Sequence, residues 1–174
     1  MPDIRPIEGA CAWQGREMAG SDRWVRRLSD GNIEELDRAL AGVETRGIGW
    51  REITTEDFPL PGMADLIGDI RTELEDGSGM MKLKGLPVAK YTEAQLQKLY
   101  FGLALNIGRP VFQNKRGELM RFIRNEGGDV GKRYGQIEGG DEDGKPFLSS
   151  YARTLNNGAL RFHTDRTDVV GLLC

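Results

Sequence analysis

The hydrophobic period of this chain changes once, near Gly108-Arg109-Pro110, and that change divides what its two parts can fold into. Before it, apolar residues recur at helical spacing; after it they alternate or come in short runs, as strands require. Ser29 and Asp30 are cap residues, and Ile33, Leu36, Leu40 and Val43 behind them share one face of a helix ending near Gly47. A second helix follows Pro61, with Met63, Leu66, Ile67, Ile70 and Leu74 on one side and a break at Gly77-Ser78-Gly79. Residues 80–84 read as a short strand stopped by Gly85 and Pro87. Thr92 and Gln95 make a capping box, in which each side chain satisfies the other's free backbone N–H. The helix it opens points Leu96, Leu99, Tyr100, Leu103 and Ile107 inward, and Gly108 and Pro110 stop it.

Beyond position 109 the sequence predicts strands. Val111-Phe112-Gln113, a turn at Lys115-Arg116-Gly117 and the alternation over 118–124 form a hairpin candidate. Residues 126–145 are rich in glycine and acidic side chains, a composition that packs poorly and predicts a mobile loop. Strand character returns at 147–151, at 159–162 and over 169–174. A buried-looking strand at the last residue has no following element to pair with it, which points to a truncated chain.

Several function classes are excluded by composition. The chain has 24 basic and 27 acidic residues, a formal charge of -3, with no footprint for nucleic acid and no polybasic patch for a membrane. Its longest apolar run, 169–174, falls far short of the roughly 18–20 residues that cross a bilayer. A small-molecule substrate is the expected partner, and homo-oligomerisation is compatible with this make-up. Cys11 and Cys174 lie at opposite ends and no secretory signal precedes them, so free thiols in the cytoplasm are expected. The single histidine, His163, rules out a two-Cys, two-His zinc site within the chain, and any Ser-His-Asp relay would have to use it.

That histidine opens the segment carrying the chemistry. His163-Thr164-Asp165 sets an imidazole and a carboxylate two residues apart, on one face if the backbone is extended. Non-haem iron(II) oxygenases bind metal through two histidines and one carboxylate on one octahedral face, leaving three positions for co-substrate and dioxygen. Alone the pair is a weak signal, since with 27 acidic residues among 174 a carboxylate stands at the second position by chance about 16% of the time. Its surroundings, Gly158-Ala159-Leu160-Arg161-Phe162-His163-Thr164-Asp165-Arg166-Thr167-Asp168-Val169-Val170-Gly171, closely resemble the metal-binding strand of the taurine dioxygenase/clavaminate synthase-like oxygenases. Residues 80–87, the Thr92 helix and Gly108-Arg109-Pro110 resemble the strand, helix and turn of that family in the same order. Trp13 and residues 28–40 are similar to its leading segment.

The resemblance implies an α+β fold in one incomplete domain, 1–174, with a mainly helical region over 1–108. Residues 109–174 would begin a double-stranded β-helix (jelly-roll) core. The glycine and acid content of residues 126–145, apart from the resemblance, leads to the expectation that this loop acts as a lid over the iron site. It implies Fe(2+), 2-oxoglutarate and O2, with oxidative decarboxylation of 2-oxoglutarate to succinate coupled to hydroxylation of an unactivated C–H. His163 and Asp165 would be iron ligands and hence catalytic. The family's second histidine and its 2-oxoglutarate-binding arginine lie beyond the matching strand and have no counterpart here. Gln113 and Asn114 follow the Gly-x-Pro turn where family members bring side chains toward substrate, with a plain turn as the alternative. Arg124, and less so Arg121, could grip a substrate carboxylate. Asp168 is off the ligand face by parity and suits a supporting hydrogen bond, and Arg161 and Arg166 suit a surface ion-pair set. The competing functions are a non-catalytic scaffold of the same fold and a different metal enzyme completed by a partner subunit.

Overall fold

The computed structural model describes residues 5–113, 117–125, 163, 165 and 167–174. The chain divides into two compact units, one of residues 1–110 with 171–174 and one of residues 111–170. In the first unit the elements run α1 (Gly15–Ala19), β1 (Val25–Arg27), α2 (Asp30–Thr45), α3 (Ala64–Glu75), β2 (Lys82–Lys84) and α4 (Glu93–Ile107). Short 3-10 turns lie at Trp50–Glu52, Pro61–Met63 and Val88–Lys90.

Both expected caps form. Ser29 Oγ accepts from the Asn32 N–H at 3.2 Å and Asn32 Oδ1 accepts from the Ser29 N–H at 3.0 Å, opening α2. Thr92 and Gln95 do the same for α4 at 3.3 and 3.0 Å. α2 ends where Gly47 takes a φ of +67°, a conformation that suits glycine. There the Gly47 and Ile48 N–H groups return to the Glu44 and Val43 carbonyls, both at 3.0 Å, satisfying two of the helix's last acceptors.

The core joins α2, α3 and α4. Leu36, Val43, Phe58, Met63, Ile70 and Leu99 are all but fully buried. α4 differs from the single stripe that its sequence predicts: Leu99, Phe101 and Gly102 are its buried residues, while Leu96, Tyr100, Leu103 and Ile107 are half-buried. The reason is that α4 packs on α2, on α3 and on the Trp50 turn, so more than one face is covered. Phe101 meets Trp50 edge to face with ring centroids 5.2 Å apart. Gly102 lies so close to the Phe58 ring that a Cβ would overlap it. At its C-terminus, α4 is capped from α3, with Arg71 Nε and Nη2 donating to the Ile107 and Asn106 carbonyls at 3.0 and 2.7 Å.

β1 and β2 form a parallel pair in the register Val25 to Lys82 and Arg27 to Lys84. Among the described residues these are the only strands. The expected hairpin after 110 has a hairpin-like bond from the Gln113 N–H to the Glu118 carbonyl at 2.6 Å, but no ladder follows it. Its turn, the loop over 126–145 and the strands expected at 147–151 and 159–162 lie outside the described residues. The expected strand at 169–174 is irregular, with Val169, Val170 and Leu172 more than half exposed. Apolar alternation yields a strand only where another strand supplies the hydrogen bonds, and none of the described residues does so.

A polar clamp ties α2 to the segment before α4. Asp37 accepts from the Lys90 ammonium and, at 2.9 Å, from the Tyr91 hydroxyl. The Lys90 bond holds the Asp37 carboxyl below the usual carboxylate range, while burial, helped by Asp37, pushes the Tyr91 hydroxyl up to about 12. The signs differ at the two ends of the pH scale. Asp37 contributes stability above about pH 4 that is lost as pH falls through its lowered pKa. Tyr91 contributes stability below about pH 10 that is lost as pH rises toward 12. Urea midpoints are therefore expected to fall at both extremes, and Tyr91→Phe is expected to shrink the alkaline loss. An alkaline limb identical in Tyr91→Phe and the parent chain would remove Tyr91 from this account.

Candidate functional site

His163 and Asp165 both belong to the second unit. His163 Nε2 and Asp165 Oδ1 stand 3.8 Å apart, with side chains 35% and 54% exposed. The two-residue spacing thus does bring the donors to one side of the backbone. Two atoms bound to one metal at about 2.1 Å each are separated by roughly 3.0 Å at adjacent positions and 4.2 Å at opposite ones. The observed separation lies within that span. An imidazole and a carboxylate are also the donor types of the two-histidine, one-carboxylate iron site, so the pair fits two of its three protein positions. Among the described residues no group of three or more His, Cys, Asp or Glu side chains assembles into a metal site.

The other residues singled out from sequence stand as follows. Gln113 is exposed, with its side-chain amide donating to the Val111 carbonyl at 3.3 Å. Arg124 is exposed and its guanidinium sits 4.9 Å from the centre of the Phe122 ring. These contacts are local, within a few residues of each side chain. Asp168 is exposed, and next to it the Thr167 hydroxyl donates to the Val169 carbonyl at 3.2 Å. Asn114, Arg161 and Arg166 lie outside the described residues.

A cavity in the first unit was not signalled by any sequence motif. It has a volume of about 300 Å³ and lies between α2 and the 56–61 segment, lined by Glu35, Arg38, Gly42, Arg46, Asp57 and Pro61, among others. Most of its charged lining is engaged. Glu35 is 7% exposed and accepts from the Gly62 N–H at 2.7 Å, at the start of the turn leading into α3. A negative group there suits the positive end of the helix. Arg46 donates to Asp57 Oδ1 at 2.6 Å and to its carbonyl at 2.9 Å. Hydrogen bonds from Thr54, more than this ion pair, hold the Asp57 carboxyl below its ordinary range. Glu35 reads as a solvated helix position in sequence because its burial depends on a contact 27 residues away.

No described helix is long and apolar enough to cross a membrane. No family model matches the chain. It is 26% identical over 170 residues to FR-33289 synthase of Streptomyces rubellomurinus, covering 98% of this chain and 46% of that protein. It is 25% identical over 164 residues to the taurine hydroxylase-like protein SAT17 of Stachybotrys chartarum, covering 94% of this chain and 40% of that protein. The chain thus spans less than half the length of either relative, and both similarities are consistent with a taurine dioxygenase-like oxygenase family.

Proposed function

We propose that this chain forms part of a non-haem iron(II), 2-oxoglutarate-dependent oxygenase that hydroxylates an unactivated C–H of a small or amino-acid-like substrate. The observation carrying this reading is the 3.8 Å approach of His163 and Asp165, inside a string resembling the metal-binding strand of that family. Distant similarity to a taurine hydroxylase-like protein along nearly the whole chain supports it. When bound, the metal supplies activation of dioxygen, with 2-oxoglutarate losing CO2 to become succinate as one oxygen atom enters the substrate. His163 would hold it through Nε2 and Asp165 through a carboxylate oxygen, with the remaining protein donor coming from outside the described residues. A double-stranded β-helix over the residues after 109 is the fold that goes with this reading.

The test is conversion of 2-oxoglutarate to succinate by the full-length natural protein, with and without iron(II). Iron-dependent succinate is the expected result. A second reading, a non-catalytic scaffold, is favoured by the presence of only two converging donors among the described residues. Absence of turnover across a panel of amino-acid and sulfonate substrates, together with no iron retained after reconstitution, would select the scaffold.

A further inference from the structure

The chain passes from the first unit to the second at 110–111 and returns to the first at 170–171. Asp165 lies six residues before that return point. At the return the chain meets α4. A Cβ on Gly171 would stand 2.5 Å from the Tyr100 hydroxyl oxygen, 3.5 Å from the ring carbon that carries it and 3.9 Å from the next ring carbon. Gly171 takes no positive φ, so glycine is needed here for room rather than for backbone conformation.

Tyr100 stands on a rigid support. Its neighbours Leu99 and Phe101 are buried, and α4 is held near its C-terminus by Arg71 from α3 and by the Asn106 amide on the Phe58 carbonyl. Tyr100 itself is half-buried, and burial pushes its hydroxyl above the ordinary tyrosine range. A phenol ring does not bend, so its hydroxyl yields only if the ring turns against its own packing. The distances separate two parts of this side chain, since 2.5 Å is far inside contact and 3.5 Å is ordinary contact. A methyl group at position 171 would therefore collide with the hydroxyl and not with the ring. Position 171 is exposed, so the chain there relieves such a collision by lifting off α4.

We propose, on the strength of the oxygenase reading above, that Tyr100 is a positioning residue for the metal site. Its contact with Gly171 seats the chain that leaves His163 and Asp165 on α4, and a segment fixed at its end has fewer conformations in which to misplace Asp165. Iron(II) affinity and iron-dependent succinate formation by the full-length natural protein test this. Gly171→Ala is expected to weaken iron binding about tenfold or more, as loss of a group that orients a ligand does. Adding Tyr100→Phe, which removes the colliding oxygen and keeps the ring, is expected to restore most of that loss. The urea midpoint of the metal-free protein is expected to stay near the parent's in both variants, because lifting an exposed segment uncovers little of the core. An iron-dependent parent with Gly171→Ala unchanged would overturn the inference and leave the oxygenase reading standing. So would a loss that Tyr100→Phe does not correct, or a midpoint that falls in step with the iron affinity. A parent that neither retains iron nor forms succinate would bring down the oxygenase reading, and this inference with it.

Discussion

Replacing His163 with alanine is expected to reduce iron-dependent succinate formation by the full-length protein more than about 100-fold. That bound follows from metal-site behaviour: removing a residue that only supports a ligand typically costs 10–100-fold, and His163 is proposed as a ligand itself. Asp165→Ala is expected to do the same. The site then keeps two protein donors at most, too few to hold an ion that must also leave three positions open. Glu75→Gln, exposed at the end of α3 in the first unit, is the control and is expected to leave turnover within a few-fold of the parent. Iron retained after gel filtration distinguishes lost binding from lost chemistry. Full turnover in His163→Ala would place the metal elsewhere and discard the pair.

The second large effect concerns the core. Phe58 is fully buried in a segment without regular structure, its ring against Gly102 of α4. Asn106 fixes the same segment from the backbone side, its amide donating to the Phe58 and Gly102 carbonyls at 2.9 Å each. Phe58→Ala is expected to cost about 3–5 kcal/mol, from lost burial and from a cavity that a helix already pinned by Asn106 cannot collapse into. Domains of this kind are stable by only about 5–15 kcal/mol, so a large share of the folded population is at risk. Urea denaturation followed by tryptophan fluorescence is the measurement. A loss below about 1 kcal/mol would mean that the ring is not a keystone of the unit.

How far the fold was legible depends on how local its causes are. Ser29 with Asn32, Thr92 with Gln95, and Gly47 act within one helical turn, and each end they mark is where the helix starts or stops. β1 escaped because Val25-Arg26-Arg27 has no alternation to read and owes its existence to a partner far along the chain. Phe58 and Glu35 escaped for the same reason: one lies in a stretch without period, the other looks like any surface glutamate until Gly62 is placed beside it. The stripe on α4 was misjudged because periodicity describes one covered face and this helix has more. At the candidate site, only the approach of His163 to Asp165 was legible, because it depends on a two-residue spacing. A third donor has no such local signature, and neither do substrate contacts.

The parallel pairing of β1 with β2 also bears on the order of events during folding. Positions 25 and 82 have to meet across a chain segment that contains all of α2 and α3. Closing that loop while the segment is still random would sacrifice much chain entropy for a pairing only three residues long. The helices are therefore expected to dock first, shortening the path and delivering the two strands to each other. On that order the sheet assembles after the helices, and slowing helix docking is expected to delay it.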